Sequence, residues 1–290
     1  MESSNYKNVI VKKAQRIEEI YRLIDEIRKG MGTETSAETF ETNFYAKKDS
    51  VAKWIEWNQL EYAVTDRVLF LLRSSKFYKQ LYYFAYNREN LKLALKELIK
   101  TEDKLNIDYL AKEDTMKDLF EDVGFKFHIT LHRMARIVKG GEDEGLSYGE
   151  YAVLSDAAEI QNILEQTMDL DSDQVPGLLE IEDYINRNMA IVIRDKACKD
   201  IISCSLWTRK GKGMIWNYWA LNPKYNGTTY SIDLLDAYLR LNGSVVRSTL
   251  FVRDRNPASL IYKKIGFQYD GLKDFVYCYR ANRKGGSTAQ

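Results

Sequence analysis

The chain states one order of elements twice, and that duplication restricts its fold more than any single motif does. Each half opens on alternating apolar residues that pass into helical spacing. In "VIVKKAQRIEEIYRLIDEI" the stripe is Ile17, Ile20, Leu23, Ile24 and Ile27; in "YAVLSDAAEIQNILEQTM" it is Ala157, Ile160 and Leu164, with Asp156 placed to cap the helix. Strands follow: "RVLFLLRSS" and "YKQLYYFAYN" in the first half, "MAIVIRD", "DIISCSLWTRKG" and "MIWNYWALNP" in the second. Next come an amphipathic helix ("ENLKLALKELIK"; "SIDLLDAYLRL") and a strand ("LNIDYLAKED"; "VVRSTLFVRDR"). A short helix stopped by Gly-Phe ("TMKDLFEDVGF"; "PASLIYKKIGF") and a closing strand ("HITLHRMARIV"; "DFVYCYRA") complete each half. Ile20 and Ile160, Asn87 and Asn222, and Phe125 and Phe267 stand 135 to 142 residues apart. Such constant spacing with little identity marks a repeated architecture. It predicts an α/β (α+β) chain of two tandem domains, each a mixed, partly antiparallel sheet flanked by helices. The expected boundaries are 1–138, a glycine-rich charged linker "KGGEDEGLSYG" at 139–149, a second domain at 150–282, and a low-complexity, disordered tail at 283–290.

Charge narrows the function classes. With 43 Lys and Arg against 42 Asp and Glu, the formal net charge is +1, so no basic field attracts a nucleic-acid backbone. The longest apolar runs resemble "VLFLL", far short of the ~20 residues that span a bilayer, and "MESSNYKNVIVKKAQ" holds no signal core. Cys198, Cys204 and Cys278 match no metal spacing and read as free thiols in a reducing cytoplasm. The Tyr, Lys and Ile usage resembles a bacterial coding bias. His128 and His132 form H-x-x-x-H, but on a strand they lie ~13 Å apart, so no metal is expected.

Two stretches of the second half carry the chemistry, "WALNPKYNGTTYSIDLL" and "NPASLIYKKIGF". With them, the segment from about Tyr151 to Arg280 resembles the GCN5-related N-acetyltransferases. The first is similar to the strand–loop–helix that cradles the pyrophosphate of acyl-CoA, and the second to the family's A-x-x-L-Y-x-K-x-G-F signature, with Ile261 in place of the leucine. The physical logic of the first is plain: loop amides and the positive end of a helix dipole converge on an anion, and glycine lets the backbone approach it. This chain departs from the family at Asn226, which stands at the basic position, and at Thr229 and Ser231, which take the glycine positions around Gly227. The whole chain resembles the superfamily's tandem acyltransferases, with a degenerate first half: "YNRENLKLAL" offers no glycine, and Phe120 stands where the second half has Tyr262.

The resemblance implies an acyl-CoA-dependent N-acyltransferase, with acetyl-CoA or another acyl-CoA as donor, no metal, and a small-molecule amine as acceptor. It assigns cofactor binding to Trp219, Ala220, Leu221, Asn226, Gly227, Thr228, Thr229, Tyr230, Ser231 and Asn256. Tyr262 is assigned as proton donor to the leaving thiolate. "MIWNYWALNP" contains no acid, so Asp254, at the end of the next strand, is the first candidate for general base; Glu180, Glu182, Asp183 or water-mediated deprotonation are alternatives. Trp216, Tyr218 and Trp219 read either as core or as an acceptor pocket. The rival function is a non-catalytic tandem protein that binds a ligand or partner; a carrier-protein or aminoacyl-tRNA donor is a third possibility.

Overall fold

The computed structural model describes residues 9–29, 40–65, 67–146 and 148–281. The tail expected at 283–290 lies outside them. The described chain packs as two compact units, one drawn from 1–129 and 274–290, the other from 130–273.

The first unit opens with β1 (Lys12–Lys13), α1 (Ile17–Lys29), β2 (Glu41–Thr42) and α2 (Lys48–Glu56). Ile20, Ile24 and Ile27 form the buried stripe of α1, and Glu18, Glu19 and Arg28, Lys29 at its two ends complement the helix dipole. β3 (Leu60–Val64), β4 (Val68–Ser74) and β5 (Lys79–Ala85) form an antiparallel meander. α3 (Arg88–Leu98) then crosses over to β6 (Lys104–Ala111), followed by α4 (Lys117–Val123) and β7 (Lys126–Ile137). β4 and β5 are buried along nearly their whole length because helices cover both faces, which is why they read as continuous apolar runs. Phe120 and Phe125 pack in the core of this unit with Tyr83 and Tyr277.

The second unit repeats the plan with β8 (Glu150–Tyr151), α5 (Ala157–Thr167), α6 (Leu178–Asn186), β9 (Ala190–Arg194), β10 (Ile201–Lys210) and β11 (Gly213–Leu221). α7 (Tyr230–Leu241) crosses over to β12 (Arg247–Arg253), then α8 (Ala258–Lys264) leads into β13 (Gln268–Arg280). The strand order is β7-β12-β11-β10-β9-β8, and β11 with β12 is its parallel pair, as β5 with β6 is in the first unit.

The units differ from a single cut at 139–149. Residues 131–137 of β7, read from sequence as the closing strand of the first half, pair with 247–253 of β12 in the second unit. Residues 274–280 of β13 belong to the first. A strand's alternation specifies which face is buried and not which neighbour it joins, so the exchange left no mark in the pattern. Nor is the linker a free tether. Within the second unit Val138 donates to Val246, Gly141 to Gly243 and Glu144 to Arg240, and Arg209 pairs with Asp143 at 2.9 Å. Asp156 turns its carboxylate back to the Val153 amide (2.8 Å) and to Arg194, and does not cap α5.

Candidate active site

β11 and β12 run together only briefly. Their ladder pairs Gly213 with Arg247, Met214 with Ser248 and Ile215 with Thr249, and then stops. Beyond it β11 stays on β10, bulged at Asn217, where the register shifts between Leu206 and Trp207. A bulge bends its strand and increases its twist, which carries the end of β11 away from β12. The Asn222 amide donates to Ile202 of β10 at 2.8 Å, and so by alternation Ala220 also turns its peptide groups toward β10. Trp219 and Leu221 therefore aim their peptide groups into the gap. Of the three residues expected to meet a cofactor there, two face it with main-chain groups.

The loop after β11 is a 3₁₀ turn, Pro223–Tyr225, started by Asn222, whose side chain accepts from the Lys224 amide. Gly227 follows with φ +84°, and a Cβ there would meet nothing within 4 Å, so the loop mouth is open. Thr229 stands at the cap position of α7 without a side-chain cap. Among the described residues the amides of Gly227, Thr229, Tyr230 and Ser231 have no acceptor, while those of Asn226 and Thr228 close the turn onto Pro223 and Tyr225. An uncapped 12-residue helix presents free donors and a positive dipole end, a suitable seat for a diphosphate. Within the loop itself, Asn226 is neutral and Lys224 is paired with Asp200 at 3.1 Å.

Tyr262 lies on α8, packed against Trp216 (5.6 Å between ring centroids), Trp219 (5.8 Å) and Phe267 (6.2 Å). Burial pushes its phenol well above the ordinary range, so the hydroxyl keeps its proton, and among the described residues no hydrogen bond consumes it. Trp216 is core, stacked on Tyr238 at 4.4 Å with its indole N–H on Ser205. Trp219 ties the gap to the phosphate-loop helix by donating its indole N–H to the Ser231 carbonyl at 3.1 Å. The structure thus gathers Trp219, Ser231 and Tyr262. It does not gather Asp254, whose side chain is 69% exposed and lies 3.8 Å from Arg255. Asn256 spends its Oδ1 on the Ala258 amide at the start of α8. Glu180 caps α6 through the Gly177 amide, and Asp183 faces Arg187.

One further carboxylate is not marked out by the sequence. Asp173 lies in the loop between α5 and α6, its side chain 18% exposed, paired with Arg253 at 2.5 Å. Burial raises its proton affinity, and Arg253 only partly offsets this. Nothing in "MDLDSDQVPG" distinguishes it from its acidic neighbours; the partner that buries it is 80 residues away.

The same gap in the first unit is shut. β5 and β6 pair only at Lys79–Leu105 and Gln80–Asn106, and β2 takes the vacated edge of β5, Glu41 opposite Ala85 and Thr42 opposite Phe84. Asn43 then bridges the two strands. Its Nδ2 donates to Leu81 of β5 (3.0 Å) and Asp108 of β6 (3.1 Å), and its Oδ1 accepts from the Tyr83 amide (2.8 Å). α3 is capped by Asn87, which accepts from the Asn90 amide at 2.9 Å.

No family model and no curated protein matches this sequence. Solved structures do. A GCN5-related N-acetyltransferase from Sphaerobacter thermophilus superposes with a TM-score of 0.56 at 11% identity over 96% of each chain. A tandem protein of that family from the clavulanic acid biosynthesis pathway gives 0.57 at 10% identity, over 96% of this chain and 99% of its own. A putative acetyltransferase from Pyrococcus horikoshii gives 0.54 at 12%, over 97% and 92%. At this level of identity the likeness is one of backbone, and it extends over nearly the full length of all three: the chain has the fold of these GCN5-related N-acetyltransferases, a tandem protein among them.

Proposed function

We propose that the chain is an acyl-CoA-dependent N-acyltransferase with one donor site, in the unit formed by 130–273, and a small amine as acceptor. The contrast between the two gaps carries this proposal. In one unit the parallel strands part, and among the described residues the edge, the loop amides and the helix start have no partner. In the other, Asn43 and Asn87 occupy the equivalent groups.

Acyl-CoA supplies an acyl group activated as a thioester. The amides of Gly227, Thr229, Tyr230 and Ser231 would hold its diphosphate, and the Trp219 and Leu221 peptide groups would bond the pantetheine arm. A main-chain N–H on that edge, already held in place by the strand, would stabilise charge developing on the carbonyl oxygen. Tyr262, held neutral by burial, donates its hydroxyl proton toward the departing sulfur.

The test is thermal denaturation with acetyl-CoA or free CoA. A ligand present at 100 times its Kd adds about 2.7 kcal/mol to the native state. No shift with either at millimolar concentration would refute the donor and leave a non-catalytic binding protein as the better description.

A further inference from the structure

The loop between α5 and α6 is fastened to both lips of the gap in the second unit. On β11, the Tyr218 hydroxyl donates to the Gln174 carbonyl, with the Tyr184 ring of α6 edge-on to Tyr218 at 6.5 Å. On β12, Arg253 grips Asp173 at 2.5 Å and Asp169 at 3.6 Å. Within the loop the Asp169 amide donates to Asp173 Oδ2 at 2.9 Å, and the Asp173 amide returns to the Asp169 carbonyl at 2.8 Å. Residues 169–174 therefore form a strap across the opening.

The strap lies on the opposite face of the sheet from Tyr262. Side chains alternate along a strand. Trp219 packs toward α7 and α8 with Tyr262, so Tyr218, its neighbour, points to the α6 side. A donor seated along the Trp219–Leu221 edge with its sulfur toward Tyr262 leaves this second face for the acceptor. The first unit shows what the corresponding connection does when it enters the gap: there the α1–α2 segment puts Asn43 between the strands. In the second unit the described contacts of the connection are with Tyr218 on β11 and with Arg253, the last residue of β12.

Resting on the donor site proposed above, we propose that Asp173 is the proton acceptor for the incoming amine. The acceptor arrives as a primary ammonium. Asp173 takes one of its protons and passes it to solvent. The freed nitrogen attacks the acyl carbonyl, a C–N bond forms and the C–S bond breaks. A second proton leaves nitrogen as Tyr262 protonates the sulfur and is itself reprotonated; the third stays on the amide. Arg253 from β12 and Asp169 from its own loop contact Asp173, Asp171 bonds Asp169 within that loop, and Tyr218 from β11 and Tyr184 from α6 flank the loop at Gln174. Desolvation makes Asp173 the more basic; Arg253 and the Asp169 amide work against it without cancelling it, and the Asp169 charge adds to it least.

The experiment compares the unaltered chain with Asp173→Asn and Asp173→Glu. CoA release from acetyl-CoA is followed between pH 5 and 9 with water, then lysine, spermidine and phenethylamine as acceptors; acetyl-CoA binding is followed by thermal shift. Asp173→Asn should lower kcat about 10²-fold or more, leave the KM for acetyl-CoA within about twofold, and abolish the acid limb of the kcat profile. Asp173→Glu should restore part of the rate. A readout apart from turnover is the pH dependence of the thermal midpoint. A carboxyl whose folded pKa is raised loses stability as pH rises through it, so Asp173→Asn should flatten that slope. An unchanged kcat and acid limb in Asp173→Asn, with acetyl-CoA still bound, overturns the role of Asp173 alone. Binding without CoA release from the unaltered chain with any acceptor overturns it too. Absence of binding refutes the donor site, and the assignment of Asp173 falls with it.

Discussion

Replacing Asn43 by alanine tests whether the gap in the first unit is closed by one side chain. Asn43 is 2% exposed and makes three hydrogen bonds, to the Leu81 and Asp108 carbonyls and from the Tyr83 amide. Each buried bond is worth about 1 kcal/mol net, and a group left dry and unpaired costs about 1–3 kcal/mol. The expected loss is therefore about 3 kcal/mol, or roughly 6–12 °C in the midpoint of a domain of this size. Asn43→Asp should lose at least as much. It keeps an acceptor for Tyr83 but turns an oxygen toward two carbonyl oxygens. Calorimetry gives the midpoint, and hydrogen exchange at the Tyr83 amide reports the bond directly. Acetyl-CoA affinity should not change, because the donor amides lie in the other unit. A loss below about 1 kcal/mol, or an unaltered exchange rate at Tyr83, would refute the closure.

Tyr262→Phe should lower turnover by about 10²-fold with little effect on acetyl-CoA affinity, read from steady-state kinetics; equal turnover would remove the hydroxyl from the reaction. Gly227→Ala places a Cβ in open space but at φ +84°, a conformation costing about 1–2 kcal/mol for an L residue. Relief of that strain should distort the loop and weaken acetyl-CoA about tenfold by calorimetric titration. Asp274 is 7% exposed, its Oδ1 has no hydrogen-bond partner among the described residues, and burial with Asp108 nearby raises its carboxyl well above the usual range. Its contribution to stability is complete below about pH 4 and is lost as pH rises through the raised value. Asp274→Asn should raise the thermal midpoint at pH 7 and flatten its decline between pH 4 and 8.

The repeat was legible because its signals are local. The α1 stripe, the Gly124 and Gly266 stops, both at positive φ, and the buried β4 and β5 runs each follow from neighbours in sequence. The place of Tyr262 on α8 and the positive-φ turn at Gly227 are local in the same way. The gap was not legible, since it depends on where a ladder ends. Asp254 was the nearest acid in sequence, yet the turn at Arg255, at φ +58°, leaves it in solvent. Asp173 and Asn43 owe their surroundings to strands far along the chain, Arg253 for one and Leu81 and Asp108 for the other. No window on the sequence contains both members of those pairs.

The exchanged closing strand has a consequence for how the molecule is made. The first unit takes its last strand from 274–280, so it stays incomplete while the whole of 130–273 is synthesised. At typical rates that interval is on the order of ten to thirty seconds. Throughout it Phe120 lacks the Tyr277 ring that lies 5.0 Å away in the finished fold, and an apolar core stands open at one edge. The nascent chain must hold a half-built sheet until its partner strand leaves the ribosome. A fragment cut at 138 would carry the same deficiency permanently, so the two sequence halves are poor units for expression although each reads as a domain.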